Sequence, residues 1–240
     1  MNDFPSLSDH ILVLLFGWLL PFISGVKSKN GLKEINFTEE IRKRFYLSNS
    51  IFLFLSAGII MVQWWWHDRP LSAMGFKPDF NAGSLPATAL FVTILTLLYF
   101  ADLIVNIKNG SAEGNMLAEM QEKAPFMPRH IREIPTYTIM CIAAGVCEEI
   151  IYRGFMVTYF LPEFNGRSGI PILAVTAPAF LFSLAHYYQG WMAILKIFLL
   201  SLLLGIIFIW SGSLWLVMII HFLIDLIGGL VMMYLLRKYP

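Results

Sequence analysis

The chain has 240 residues, of which 58% are hydrophobic and 14% are charged, and its net charge is +1. A soluble domain of this size would need many more polar side chains to cover its surface, so the composition predicts a multi-pass protein of the lipid bilayer. The near-neutral charge gives no support for a nucleic-acid partner. Cys141 and Cys147 lie six residues apart on one predicted helix and face different sides, so no disulfide is expected.

Apolar runs long enough to cross a bilayer, or nearly so, recur along the whole chain. They predict an all-α, single-domain bundle of about seven transmembrane helices, at 10–26, 46–66, 84–106, 134–160, 169–188, 191–211 and 213–236. We divide this bundle into N-terminal transmembrane helices with cytoplasmic loops, residues 1–133, and a core at 134–236.

Two polar connections interrupt the N-terminal part, at 27–45 and 108–133. In the first, Asn36-x-x-Glu39 is a capping-box pattern and predicts a short juxtamembrane helix. The second is rich in Gly, Ser and Glu before Pro125 and Pro128, which predicts a mobile loop.

Lysine and arginine are distributed unevenly between the two ends of the predicted helices. Twelve fall at one end, whereas only Arg69, Lys77 and Arg167 fall at the other. The excess of positive charge marks the cytoplasmic side of a membrane protein. The C-terminus is therefore predicted in the cytoplasm and, with seven crossings, the N-terminus outside.

Glu148, Glu149 and Arg153 interrupt the apolar segment 139–160. A charge at bilayer depth costs about 2.5–3.5 kcal/mol on insertion scales, so such residues usually have a partner or a function. Glu149 and Arg153 are four apart and share a helical face, whereas Glu148 is rotated about 140° from Arg153 in an α-helix. We therefore expect Glu149 to neutralise Arg153 and Glu148 to remain free for chemistry. The alternative is a structural salt bridge beside an incidental buried glutamate.

Two histidine motifs follow in later helices. Phe182-Ser-Leu-Ala-His186 closes one apolar run, and His221-Phe-Leu-Ile-Asp225 places two polar side chains on one helical face in the last run. Each motif also has a structural reading, in which His186 is a hydrogen-bonded interface residue and Asp225 orients a His221 that joins two helices. Their place beside the glutamate motif, in the C-terminal half, favours a shared function.

The chain resembles the CPBP family of intramembrane proteases in three motifs and in their order. These motifs are Glu-Glu-x-x-x-Arg, then Phe-x-x-x-His, then His-x-x-x-Asn/Asp. This family includes CAAX prenyl endopeptidases and bacteriocin-processing or immunity relatives. The resemblance covers about residues 134–236 and extends to Gly154-Phe155 and to Gly212-Ser213-Leu214-Trp215. The segment 69–76 is similar to a short motif upstream of that domain. Asp225 stands where many members have asparagine.

The resemblance implies an intramembrane endopeptidase with residues 134–236 as its catalytic core. The implied catalytic residues are Glu148, His186, His221 and Asp225, and Glu149, Arg153 and Phe182 support them. Glu148 would take a proton from the attacking water, and His186 would hold that water and carry a proton to the leaving amine. His221, oriented by Asp225, would donate to the oxyanion. The substrate would be a membrane-associated or lipidated protein or peptide.

Several alternatives remain open at this point. The family has also been described as metalloproteases, and Glu148, His186 and His221 could be three zinc ligands with a fourth position for water. The chain has no His-Glu-x-x-His motif, so we favour a metal-free glutamate mechanism without a cofactor. A proton-coupled transporter could use the same residues as a relay, although carriers usually have repeated halves. A catalytically silent scaffold is the third possibility, but all four implied catalytic positions are filled.

The predicted helices do not place the three motifs at one depth. His186 falls near the end of its run, whereas Glu148 lies in the middle of its own and His221 about eight residues into the last. We therefore expect a tilted or extended fifth helix, or a break near Gly190 beside a water-filled cavity.

Overall fold

The computed structural model describes residues 4–77, 84–112, 124–161 and 172–238. These residues form helices and no β-strand, which confirms the all-α prediction. Helix α1 comprises three consecutive segments, Leu7–Leu12, Val13–Leu19 and Leu20–Glu34. The other helices are α2 (Glu39–Trp66), α3 (Leu85–Ala112), α4 (Ile131–Phe160), α5 (Ile172–Ala185), α6 (Trp191–Ser211) and α7 (Leu214–Lys238). Short 3₁₀ turns at Leu71–Met74 and Tyr187–Gln189 lie in the connections.

Six of these helices are long and apolar enough to cross a bilayer, so the protein is an integral, multi-pass membrane protein. Helix α5 differs, because its 14 residues rise only about 21 Å at 1.5 Å per residue. The hydrocarbon core is about 30 Å thick. The predicted span at 169–188 is therefore present as a helix, but it is too short to cross unaided. Its first residues, 169–171, lie outside the described residues.

The chain reverses direction between α5 and α6. One 3₁₀ turn, Tyr187–Gln189, is followed by Gly190 with φ 91° and ψ 168°. Glycine adopts positive φ without a steric penalty, so the reversal needs only a few residues. The predicted break near Gly190 is confirmed. Because the turn is so short, α6 returns antiparallel along α5.

The connection between α1 and α2 differs from the prediction of a separate juxtamembrane helix. The N-cap is Thr38, whose Oγ1 accepts a hydrogen bond from the Ile41 N–H at 3.3 Å. Helix α2 then continues unbroken from Glu39 to Trp66, because no proline interrupts its backbone hydrogen bonds. In the second connection, α3 extends to Ala112, and residues 113–123 of the predicted loop lie outside the described residues.

Two buried ion pairs hold the two ends of the bundle. Both terminal nitrogens of Arg69 donate to the Asp9 carboxylate at 2.8 Å. Arg42 donates to the Glu133 carboxylate through Nε at 2.7 Å and Nη2 at 2.8 Å. Such two-point contacts between guanidinium and carboxylate fix geometry as well as charge. They tie α1 to the segment after α2 at one end, and α2 to α4 at the other.

Helix α4 is central to the packing. Every residue from Glu149 to Thr158 is buried, and Phe155 and Met156 are fully enclosed. The polar residues of this stretch are therefore withdrawn from both lipid and water. A buried charge needs a partner within the protein, so the contacts of α4 decide what its polar residues can do.

Candidate active site

The backbone of α4 widens where it carries the glutamate motif. It is π-helical over Ala144–Glu148 and Ile150–Val157. Widened turns of this kind are rare and occur often at functional sites. A wider turn advances by fewer degrees per residue, so the separation of 140° expected between Glu148 and Arg153 in a regular α-helix does not apply.

The predicted pair of Glu149 and Arg153 is confirmed. Arg153 Nη1 donates to Glu149 Oε1 at 2.7 Å, and the two side chains are 1% and 0% exposed. The other terminal nitrogen, Nη2, donates to Ser201 Oγ at 2.7 Å and to the Ser201 carbonyl at 3.1 Å. The sequence analysis missed Ser201. Its position as the only hydroxyl in the apolar stretch 197–210 of α6 is a signal that could have identified it.

His221 contacts both glutamates. Its Nδ1 lies 2.7 Å from Glu149 Oε1, the same oxygen that binds Arg153. An ionised carboxylate only accepts hydrogen bonds, so Nδ1 carries the proton of this bond. The other ring nitrogen, Nε2, faces Glu148 Oε2 at 3.7 Å and Asp225 Oδ2 at 3.6 Å. Glu149 is therefore the acceptor of the hydrogen bond that orients the ring, whereas the sequence predicts Asp225 as the orienting residue.

Asp225 loses this role because of its position on α7. It lies one turn beyond His221, and its side chain remains 35% exposed, whereas that of Glu149 is fully buried beside Nδ1. Asp225 instead approaches the nitrogen that also faces Glu148. Asp225 therefore lies on the Nε2 side of the His221 ring, together with Glu148, and not on the Nδ1 side, which Glu149 occupies.

Phe182 packs against both His186 and His221. The His186 Nδ1 donates to the Phe182 carbonyl at 3.1 Å, so its Nε2 is left as the acceptor nitrogen. The Phe182 ring lies 4.9 Å from the His186 ring and 6.0 Å from the His221 ring, between centroids. Arg153 Cζ lies 5.3 Å from the centre of the same ring. The early end of α5 thus brings the three motifs together around one aromatic side chain.

Close packing of α7 against α4 positions His221. A Cβ atom added to Gly145 would lie 2.9 Å from the backbone nitrogen of Phe222, a distance that real Cβ atoms essentially never show. Near the start of α4, the Tyr137 hydroxyl donates to the Asp225 carbonyl at 2.9 Å. The two helices therefore approach backbone to backbone beside the candidate site.

The segment 69–76, which resembles the upstream motif, fixes the start of α7. The carbonyl of Gly75, a residue with φ 87°, accepts a hydrogen bond from the Leu214 N–H at 2.9 Å. Ser213 caps the helix, since its Oγ accepts from the Leu216 N–H at 3.4 Å. This docking sets the position from which α7 presents His221 to α4.

The zinc alternative requires three protein ligands around one metal position. Within the described ranges, no group of three or more His, Cys, Asp or Glu side chains is arranged to hold a metal ion. Zinc ligands lie about 2.0–2.2 Å from the metal when they are nitrogen or carboxylate oxygen. His221 Nε2 and Glu148 Oε2 lie 3.7 Å apart. The metal-free mechanism and the zinc alternative both stay predictions.

Comparison with known proteins identifies a family that part of the chain matches. Residues 130–227 match the sequence model of the family described as type II CAAX prenyl endopeptidase, Rce1-like. No curated protein and no solved structure matches the chain. The matched segment contains every candidate site residue, from Glu148 to Asp225. The C-terminal core of this chain is therefore similar to the Rce1-like type II CAAX prenyl endopeptidases, which confirms its resemblance to the CPBP family.

Proposed function

We propose that this protein is an intramembrane endopeptidase of the CAAX type, which hydrolyses a peptide bond in a membrane-associated or lipidated substrate. The observation that carries the proposal is the arrangement around His221. One ring nitrogen is bound to the buried Glu149, and the other faces Glu148 at 3.7 Å. An oriented imidazole beside a second carboxylate provides both a proton donor and a base.

Glu148 is the proposed general base. Its side chain keeps 19% of its surface exposed, and no described residue forms a hydrogen bond with it, so water can reach its oxygens. Glu148 takes a proton from this water as the oxygen attacks the scissile carbonyl. His186 presents its acceptor nitrogen, Nε2, to the same water. It then accepts the proton that Glu148 took and delivers it to the leaving amine nitrogen as the C–N bond breaks, which returns Glu148 to its carboxylate form.

His221 is the proposed donor to the oxyanion. Because Nδ1 already donates to Glu149, His221 can donate from Nε2 only as the doubly protonated imidazolium, whose second proton points toward Glu148 and the reacting carbonyl. Fixed donors of this kind stabilise the charge that develops in the transition state, and removing one typically costs about 10²–10³ in rate. Asp225, 3.6 Å from the same nitrogen, either supports that proton or, when protonated, donates to the oxyanion itself.

The supporting residues hold this constellation in place. Hydrogen bonds run from Ser201 on α6 through Arg153 and Glu149 on α4 to His221 on α7. Each partner in this chain is at least nine-tenths buried. We therefore assign Glu149 and Arg153 to positioning, with Glu149 setting which nitrogen of His221 faces the substrate.

The test is cleavage by the purified, full-length protein in lipid nanodiscs. The substrates are C-terminal peptides of matched sequence, with and without a prenyl group on the CAAX cysteine, and Glu148→Gln is the control. Cleavage that depends on Glu148 and is faster for prenylated peptides supports the proposal. Folded protein that cleaves none of the peptides, yet transports protons in liposomes through Glu148, would instead favour the relay.

A further inference from the structure

A second candidate site lies at the end of the bundle that carries most of the lysine and arginine residues. It is a cleft of about 360 Å³ lined by Glu39, His130, Ile131, Arg132 and Arg237. These residues lie at the start of α2, at the start of α4 with His130 as its N-cap, and at the end of α7. The cleft is therefore created by tertiary packing, and it is separate from the residues around Phe182.

The lining of this cleft carries uncompensated positive charge. Arg132 and Arg237 are exposed, and neither guanidinium forms an ion pair or hydrogen bond with any residue in the described part of the chain. Glu39 attracts Arg132, but its carboxylate is already bound by Lys43 Nζ at 2.5 Å. The neighbouring Arg42 is buried in its pair with Glu133. Two guanidinium groups thus remain available for an anion.

The surroundings of the cleft are those of a membrane interface. Ile131 is 62% exposed and Tyr234, one turn before Arg237, is 53% exposed. Both lie near the ends of helices long enough to cross the bilayer. Lys238 Nζ lies 5.7 Å from the centre of the Tyr234 ring. Aromatic and basic residues at helix ends commonly lie at the level of the lipid headgroups. A ligand here meets cationic groups beside exposed apolar side chains.

We propose that this cleft binds the phosphate headgroup of an anionic phospholipid, with Arg132 and Arg237 as its direct contacts. The planar guanidinium group matches the geometry of a phosphate with two parallel hydrogen bonds. Basic pockets between the cytoplasmic ends of transmembrane helices bind anionic headgroups in this way. Acyl chains of the same lipid lie against Ile131 and Tyr234. The bound headgroup joins the ends of α4 and α7, the helices that carry Glu149 and His221.

The test measures lipid retained by the full-length protein in detergent micelles, by native mass spectrometry, during titration with phosphatidylglycerol or phosphatidylcholine. Each arginine near an anionic headgroup contributes a factor of about 5 in affinity, so Arg132→Gln/Arg237→Gln should bind phosphatidylglycerol about 30-fold more weakly. The matched control, Lys27→Gln/Arg44→Gln, removes two exposed charges from the same end of the bundle but outside the cleft, and should bind like the wild type. Arg132→Lys/Arg237→Lys keeps the charge and loses the two-point geometry, so it should show an intermediate loss.

Three results would overturn this assignment. Equal losses in the cleft variant and its control would mean diffuse attraction to the whole basic surface. Equal retention of the two lipids by wild-type protein would mean that the headgroup charge is not recognised. Displacement of phosphatidylglycerol by millimolar inorganic phosphate would identify a site for a free anion rather than for a lipid.

Discussion

Replacing Glu149 by glutamine removes a carboxylate that contacts both Arg153 and His221. The change is nearly isosteric, so it creates little cavity, and its main effect is to leave the Arg153 guanidinium without a countercharge. Glu149 and Arg153 are 0% and 1% exposed, so water cannot compensate. Breaking a buried ion pair at one partner costs about 3–5 kcal/mol. For a domain of 150–250 residues this corresponds to a Tm lowered by about 6–20 °C.

The matched variant, Glu148→Gln, should behave in the opposite way. Glu148 is 19% exposed at its side chain and accepts no hydrogen bond from a described residue, so its loss should lower the free energy of unfolding by much less than the loss of Glu149 does. If it is the general base, the rate of cleavage should fall by about 10²–10⁴. Thermal unfolding in detergent and cleavage of a prenylated peptide in nanodiscs measure the two effects separately.

A double variant separates positioning from stability. In Glu149→Gln/Arg153→Met both charges are gone, and replacing a whole buried pair is often neutral. The Tm should therefore recover toward that of the wild type, while activity stays low because His221 has lost the carboxylate at Nδ1. The reasoning is refuted if Glu149→Gln keeps the wild-type Tm, or if Glu148→Gln keeps substantial activity in a well-folded sample.

Three further predictions concern the oxyanion, the metal and the topology. Asp225→Asn should retain activity within about tenfold, because an amide can still donate to the oxyanion. Asp225→Ala should lower the rate of cleavage by about 10²–10³. Equal activity of the two variants in the peptide assay would exclude the donor role. Purified active protein should contain substoichiometric zinc by elemental analysis and keep its activity after prolonged chelation. A 1:1 zinc content, with activity lost when the metal is removed and restored by zinc or cobalt, would establish a metalloprotease. A cysteine at the exposed Arg44 should react with an impermeant maleimide only from the cytoplasm, and one at the exposed Lys77 only from outside; the reverse pattern would invert the predicted orientation.

Much of the architecture follows directly from the sequence. Long apolar runs favour α-helices, because a helix satisfies its backbone hydrogen bonds within one segment in lipid, so the helices could be located from the apolar runs alone. The spacing of four between Glu149 and Arg153 predicted a contact within one helix, and the positive φ at Gly190 agrees with the break expected there. These features depend on residues close together in the chain.

The contacts between helices could not be predicted in the same way. Ser201 and His221 reach the Glu149–Arg153 pair from sequence separations of 48 and 72 residues. No local pattern specifies which nitrogen of His221 meets which carboxylate, and spacing alone favoured Asp225 on the same helix. The tertiary structure gives that role to Glu149, because the close packing at Gly145 brings α7 against α4.

The sequence by itself determined that this is an all-α membrane protein, which residue types could carry chemistry, and which family its core resembles, because each of these depends on composition and on order along the chain. Tertiary structure decided how the three motifs combine. The early end of α5 brings Arg153, His186 and His221 around Phe182, and the packing of α7 on α4 brings Glu148 to His221, since these distances depend on how helices pack rather than on where residues fall in the sequence.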